Sequence, residues 1–232
     1  MIRIGMIVPS SNTAVEDATT RLLDDHDNVT FVSTRIRVQS ISVDGNGAAF
    51  DVASMVESAR LLADAKVDVI VWNGTAGSWL GTDHDQAICA AITDATGIPA
   101  TTSTLAILAA CRDSGITTLA AATPYTIDVV DRIIAEYAQH GIAVVSHAEW
   151  ELSDNFAFAA ASSDEIASLL IDAAEEGDAQ AVALICTNVD GSVVAHDVEQ
   201  KLGRPVIDSI AATLWWSLRI AGYTTEGAAA DA

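Results

Sequence analysis

The chain repeats one pattern in its two halves: an apolar run ends abruptly in small polar residues and then leads into a helical stretch. In the first half the run 69–72 is followed by Asn73 and Gly74, and in the second half the run 182–185 is followed by Cys186. A buried parallel strand ends in this way at the carboxyl edge of its sheet, where open α/β folds bind ligands. Two such edges that face each other would form one site with two halves, and only one half would carry a thiol.

A second pair of segments supports the repeat. Pro9 and Pro124 each follow a strand-like run and precede a polar loop, and the distance from Pro9 to Gly74 is nearly that from Pro124 to Cys186. Strand-like and helix-like segments alternate along almost the whole chain, which is typical of parallel sheets covered by helices on both faces. We therefore predict an α/β protein made of two related halves.

The element boundaries follow from apolar periodicity. The predicted strands span 3–8, 30–35, 67–72, 117–122, 142–148, 181–185 and 205–207. The predicted helices include 52–65, 104–113, 126–139, 164–174 and a closing helix at 209–220. We assign residues 1–98 plus 208–232 to a first α/β domain and residues 99–207 to a second. The tail 224–232 has no apolar pattern and is predicted to be frayed.

Composition limits the class of protein. Hydrophobic residues make up 50% of the chain, which is enough for a sizeable core, and no apolar run approaches the roughly 20 residues that cross a bilayer. The N-terminus enters a strand-like pattern directly, without the layout of a signal peptide. Cys89, Cys111 and Cys186 lack the spacing of a metal site, and their odd number suits a reducing compartment. We therefore expect a cytoplasmic protein.

The charge excludes some partners and leaves other questions open. The net charge is −21 and only 11 residues are basic, which argues against nucleic acid and anionic membranes because phosphate binding depends on Lys and Arg. The acidic surface fits either adaptation to high salt or an ordinary acidic protein kept in solution by its charge. The oligomeric state is open, with a homo-oligomer as one option, since Trp215 and Trp216 could cover a domain seam or a subunit interface.

Four loops should converge if the two sheet edges face each other: 9–13, 73–78, 124–126 and 186–192. They contain no Arg, Lys or His, and Asp190 is their one charged residue. This content argues against a lysine-containing phosphate cradle and a His-assisted nucleophile, and it favours a carboxylate or enediolate held by neutral donors.

Each of the three cysteines can be either a core residue or a reactive thiol. From its position alone, Cys186 fits a buried core residue better than a catalyst, and Cys89 and Cys111 lie in helical patterns and are predicted to be core. A helix N-terminus after the second strand end would lower the pKa of the Cys186 thiol and make it a usable acid/base.

A family resemblance favours a catalytic role for Cys186 over a purely structural one. Residues 6–13, Met-Ile-Val-Pro-Ser-Ser-Asn-Thr, resemble the opening motif of maleate cis–trans isomerases and of the related arylmalonate decarboxylases, both in the aspartate/glutamate racemase superfamily. The resemblance continues at 74–75, 123–125, 153–155 and 184–186 and covers residues 2 to about 222. The ordered set is fairly specific, although no single piece would be.

The resemblance implies two Rossmann-like α/β domains related by pseudo-twofold symmetry, with the active site in the cleft between them. It implies a cofactor-independent enzyme that acts on a small dicarboxylic acid. Racemases and maleate isomerases of the superfamily place one cysteine in each domain. Cys186 matches the second, whereas Gly74 stands where the first would be, as in the decarboxylases.

Other site residues are also implied by the resemblance. Asn12, Tyr125 and Asn155 match isomerase residues that hold substrate carboxylates, and Thr75 matches a hydroxyl donor of the decarboxylase oxyanion pocket. The substrate-binding set is completed by Gly74, Ala76, Thr187 and Asn188.

The single thiol constrains the reaction. Two-base racemisation and covalent maleate isomerisation both use the cysteine that Gly74 replaces, whereas decarboxylation needs one thiol to protonate an enediolate. We therefore predict decarboxylation alpha to a carboxylate, with Cys186 as the proton donor. The alternatives are a maleate-isomerase-like or racemase-like isomerisation, and a non-catalytic dicarboxylate-binding protein.

Overall fold

The structure is a computed structural model that describes residues 1–38, 40–41 and 51–223. The tail 224–232, predicted to be frayed, lies outside the described residues. In chain order the elements are β1 (Ile2–Pro9), α1 (Val15–Leu22), β2 (Val29–Ile36), α2 (Val52–Asp64), β3 (Val69–Trp72), α3 (Gly77–Leu80), α4 (Thr82–Thr96), β4 (Ala100–Thr102), α5 (Ser103–Asp113), β5 (Thr118–Thr123), α6 (Ile127–Gln139), β6 (Ala143–Glu149), α7 (Asn155–Phe158), α8 (Ser163–Glu175), β7 (Ala181–Leu184), a 3₁₀ turn (Gly191–Val193), α9 (Ala195–Leu202), β8 (Val206–Asp208) and α10 (Ser209–Ile220).

Within the described ranges the strands form two four-stranded parallel sheets, in the orders β2-β1-β3-β4 and β6-β5-β7-β8. The predicted α/β class with two parallel sheets is confirmed, and every predicted strand is present with its ends shifted slightly. Sequence periodicity missed β4, because its 3 residues, Ala-Thr-Thr, include no large apolar side chain, whereas the equally short β8 contains Val and Ile.

The two sheets repeat each other in register as well as in strand order. Ile7 of β1 pairs with Trp72 of β3, and Ala122 of β5 pairs with Leu184 of β7. Trp72 and Leu184 are therefore equivalent positions, and two residues further along each chain segment Gly74 is equivalent to Cys186.

The short strands β4 and β8 are also equivalent, and each leads directly into a capped helix. Thr102 pairs with Trp72 and its side chain accepts a hydrogen bond from the Leu105 backbone N–H at the start of α5. Asp208 pairs with Leu184 and caps α10 in the same way, through the Ala211 N–H. A polar residue that caps a helix directly after a strand ends that strand and starts the helix.

The helix α10 follows the second sheet but packs on the first. Its residues Ile210 and Leu218 share a core cluster with Ile4 of β1 and Val69 of β3. At the other predicted boundary, the first sheet extends beyond residue 98 to Thr102, because β4 pairs with β3. The domain limits at 98 and 208 remain a prediction.

Candidate active site

A cavity lies at the carboxyl ends of β3 and β7 and is lined by both halves of the chain. The predicted site residues that line it are Gly74, Thr75, Ala76, Tyr125, Asn155, Cys186 and Thr187. The other lining residues are apolar: Pro9, Val38, Ile41, Trp72 and Trp79. The structure therefore brings most of the predicted site together and adds an apolar wall that the sequence analysis did not anticipate.

The cavity is small, with a volume of about 20 Å³, which is room for about one water molecule. Larger cavities of about 370 and 350 Å³ lie elsewhere, beside Ile116 and Leu214, and neither contains a predicted site residue. A dicarboxylate is larger than a water molecule, so the walls of the cavity at the two strand ends must move apart to admit one.

Cys186 lies at the end of β7 with only 2% of its surface exposed. Its Sγ accepts a hydrogen bond from the Asn188 N–H at 3.4 Å. Burial raises the pKa of the Cys186 thiol to about 11, although hydrogen bonds from Tyr125 and from backbone N–H groups oppose the rise. The thiol is therefore protonated at neutral pH.

This direction corrects the expectation that a helix N-terminus would lower the pKa of Cys186. The strand end is followed by a loop and a 3₁₀ turn of 3 residues. Such a turn is too short to supply the aligned peptide dipoles of a helix. Desolvation outweighs the backbone donors, and it favours the neutral thiol.

Two neutral hydroxyl groups meet across the cavity. The Thr75 Oγ1 and the Tyr125 hydroxyl lie 2.9 Å apart, and both residues are buried. Burial also raises the pKa of Tyr125 well above its usual value, which keeps the phenol protonated. The Tyr125 ring is held edge-on by Trp79 and Phe158, at centroid distances of 5.0 and 5.6 Å. One hydroxyl donates to the other in this arrangement, and both can donate to an oxygen that acquires negative charge once their mutual hydrogen bond is broken.

Asn12 joins the two halves beside the cavity. Its Nδ2 donates to the Thr187 carbonyl oxygen at 2.9 Å and to Thr187 Oγ1 at 3.2 Å, while its Oδ1 accepts from the N–H groups of Ala14 and Val15 at 3.1 and 3.0 Å. Both ends of the amide are engaged by the protein in this arrangement. Its predicted role as a carboxylate ligand stays a prediction.

Asn155 and Asn188 also connect the two halves of the chain beside the cavity. The Asn155 Nδ2 donates to Ser11 Oγ at 2.7 Å, and the Asn188 Nδ2 donates to the Asn155 carbonyl oxygen. The Asn188 Oδ1 accepts from the Thr13 N–H at 2.9 Å. Asn155 lines the cavity, whereas Asn12 and Asn188 lie behind its wall.

Two buried carboxyl groups near the strand ends were missed by the sequence analysis. Burial raises the pKa of Asp208 to about 6 and that of Asp85 to about 7. The position of Asp208 directly before an apolar helix was the available signal, since Asp is a common helix cap. Asp190, the one charged residue of the four loops, forms an ion pair with Arg21 instead of facing the cavity.

The described part of the chain contains no group of three or more His, Cys, Asp or Glu side chains that could hold a metal ion. Within the same ranges, no helix is both long enough and apolar enough to cross a membrane.

Comparison with known proteins adds the family. The family model for arylmalonate decarboxylase matches residues 4–231. The chain belongs to the arylmalonate decarboxylase family. It is 29% identical over 221 residues to the arylmalonate decarboxylase of Bordetella bronchiseptica, a match that covers 94% of this chain and 90% of the relative.

Maleate isomerases are also similar to this family member. The maleate isomerase of Pseudomonas putida is 26% identical over 230 residues, covering 94% of this chain and 91% of the relative. Among solved structures, a liganded arylmalonate decarboxylase with a glycine-to-cysteine and a cysteine-to-serine substitution superposes with a TM-score of 0.86 at 27% identity. That match covers 96% of this chain and 93% of the other.

These relatives are enzymes, and the fold is the fold of arylmalonate decarboxylases and maleate isomerases. The chain is thus a decarboxylase or isomerase of the aspartate/glutamate racemase-like superfamily. This result favours catalysis over the alternative of a non-catalytic dicarboxylate-binding protein.

Proposed function

We propose that this enzyme decarboxylates a malonic acid with an apolar substituent on its α-carbon, and that Cys186 protonates the resulting enediolate. The observation that carries the proposal is the state of the thiol. Of the chain's three cysteines only Cys186 lines the cavity, and burial keeps it protonated at neutral pH. A protonated thiol is a proton donor, whereas covalent attack on a substrate requires a thiolate.

The polar side of the cavity suits the carboxylate that the substrate retains. The hydroxyls of Thr75 and Tyr125, together with backbone N–H groups of the strand-end loops, can donate to its two oxygens. When the bond to the leaving carboxylate breaks, its electron pair moves toward the retained carboxyl group, which becomes an enediolate while CO₂ departs. Once the substrate has opened the cavity, these neutral donors stabilise the charge that develops on the two oxygens.

The apolar side suits the group that leaves and the α-substituent. The side chains of Val38 and Ile41 cannot hydrogen-bond to a carboxylate, and burial of an unpaired charge is unfavourable. Loss of that carboxylate as neutral CO₂ removes the unfavourable charge. The Cys186 Sγ–H then gives its proton to the α-carbon, and the thiolate is reprotonated from water to complete the cycle.

Isomerisation of a maleate-like substrate is the second candidate. It is supported by the similarity to maleate isomerases, and the family resemblance implies carboxylate-binding roles for Asn12, Tyr125 and Asn155 in that reaction. Its disadvantage is that the attacking thiolate would have to come from Cys186, whose pKa is raised. The three free cysteines support a reducing, cytoplasmic location for either reaction.

One experiment separates the two reactions. The purified enzyme is incubated in D₂O with phenylmalonate, with methylphenylmalonate and with maleate, and CO₂ release and the NMR spectra of the products are followed. We expect CO₂ from the malonates and one solvent deuterium on the α-carbon of each product. Conversion of maleate to fumarate, with no CO₂ from either malonate, would replace the proposal with isomerisation.

A further inference from the structure

The two equivalent strand ends distribute side-chain volume differently. In the second half a medium-sized side chain, Leu184, is followed two residues later by the thiol of Cys186. In the first half the larger Trp72 is followed by Gly74, which has no side chain. The pairing of β3 with β1 and of β7 with β5 makes these positions equivalent, so the comparison is made within one molecule.

The Trp72 indole occupies the space that a side chain at position 74 would need. A Cβ built on Gly74 would lie 2.5 Å from the Cε2 and Cζ2 atoms of Trp72 and 2.7 Å from its Nε1. Real Cβ atoms essentially never approach a heavy atom within 3.0 Å. Trp72 is only 1% exposed, and a close-packed interior leaves its ring little room to move aside.

Trp72, Gly74 and Cys186 all line the same cavity. Because residues 74 and 186 are equivalent in the repeat, they approach the cavity from opposite halves of the molecule. We propose that Trp72 determines the reaction by taking the place of a second acid/base. Its ring fills the space in front of Gly74 and restricts proton transfer to the Cys186 side.

This inference rests on the proposed function, and it has a stereochemical consequence. A proton delivered from one side gives one configuration at the α-carbon of the product. The same product is not deprotonated from the other side, because an indole carbon and not a base lies there. Trp72 is in this sense a specificity-determining residue, although it takes no part in proton transfer.

Four proteins test the steric part: the wild type, Trp72→Leu, Gly74→Cys and the double variant, which copies the Leu–Cys pair of the second half. Urea unfolding of each requires no substrate. We expect Gly74→Cys to raise the unfolding equilibrium constant less in the Trp72→Leu background than alone, by about tenfold, as is usual for residues in contact. Additive effects of the two substitutions would overturn the steric part.

Enantiopure 2-phenylpropionate in D₂O tests the chemical part in the same four proteins. We expect loss of optical activity, accompanied by exchange of its α-hydrogen, only with the double variant. Equal loss of optical activity with Gly74→Cys alone, or none with a stably folded double variant, would overturn the role of Trp72. If Gly74→Cys alone does not fold while the double variant does, the steric part is supported, whereas failure of the double variant to fold when Trp72→Leu folds would overturn it.

The wild type separates this inference from the proposed function. If it releases no CO₂ from phenylmalonate or methylphenylmalonate, decarboxylation is wrong, while the unfolding series still reports whether Trp72 excludes a side chain at position 74.

Discussion

The end of β3 and the end of β7 occupy the same place in two sheets of the same strand order, but they offer different chemistry to the cavity between them. The backbone is kept: the Asn73 N–H donates to the Ile7 carbonyl and the Ile185 N–H to the Ala122 carbonyl, both at 2.9 Å. What differs is the side chain at one position and the volume of its neighbour. Leu184 and Cys186 in the second half correspond to Trp72 and Gly74 in the first half. The two halves therefore share the same backbone hydrogen bond while only one of them presents a reactive side chain to the cavity.

The strongest way to break this comparison is to remove the thiol that distinguishes the second half. We expect Cys186→Ser to lower kcat for decarboxylation about 10³-fold, because a serine hydroxyl is a much weaker acid and general acid catalysis contributes about that factor. Cys89→Ser, in helix α4 of the first half, is the matched control and should leave kcat unchanged. Steady-state CO₂ release measures both variants. A Cys186→Ser enzyme with normal turnover would remove the thiol from the mechanism.

The two halves also differ in the buried carboxyl group near each strand end. Asp85 accepts a hydrogen bond from Thr102, the residue equivalent to Asp208, and burial raises the pKa of Asp85 to about 7 and that of Asp208 to about 6. Below about pH 4 each carboxyl is protonated in both folded and unfolded chains, so its stabilising contribution is fully present. As pH rises, the unfolded chain releases the proton first, so the stabilising contribution falls. It stops falling once the pH exceeds the pKa of the carboxyl group in the folded protein.

We therefore expect the wild type to lose stability between pH 5 and pH 8 by about 2–3 kcal/mol more than Asp85→Asn does, since asparagine does not titrate. For Asp208→Asn the corresponding difference should be about 1 kcal/mol, because its folded pKa is lower. Urea unfolding at the two pH values gives both numbers. Equal pH dependence of the wild type and Asp85→Asn would show that Asp85 is ionised in the folded protein throughout this range.

Ser209 and Ser103 occupy equivalent positions in the two halves, and their replacement is expected to have the smallest effects on stability. The Ser209 hydroxyl donates to the Leu184 carbonyl and accepts from the Cys186 N–H, whereas the Ser103 hydroxyl donates to the Trp72 carbonyl at 3.4 Å. We expect Ser209→Ala to lower the free energy of unfolding by about 1–2 kcal/mol, because it leaves a buried N–H without its partner. Ser103→Ala should cost less than about 1 kcal/mol, since its hydrogen bond is long. Equal losses would mean that the bond to Cys186 contributes nothing to stability.

The sequence predicted the fold well because the strands are buried runs whose ends carry distinct polar loops. It predicted most of the cavity lining for the same reason, since parallel strands bring their carboxyl ends to one edge. It could not predict the pKa direction of Cys186, which depends on how deeply the loop is buried. It also missed Trp72, because a tryptophan inside an apolar run resembles any other core residue until its neighbours in space are known.

The position of α10 affects how this protein unfolds. The helix is continuous in sequence with the second sheet, yet Ile210 and Leu218 are buried against the first. If the second sheet unfolded and α10 moved with it, the apolar face of α10 would leave the first sheet. The apolar surface that it covers there would then be exposed to water. The first half therefore depends for its core on a helix that is continuous with the second half, and we expect the two halves to unfold cooperatively.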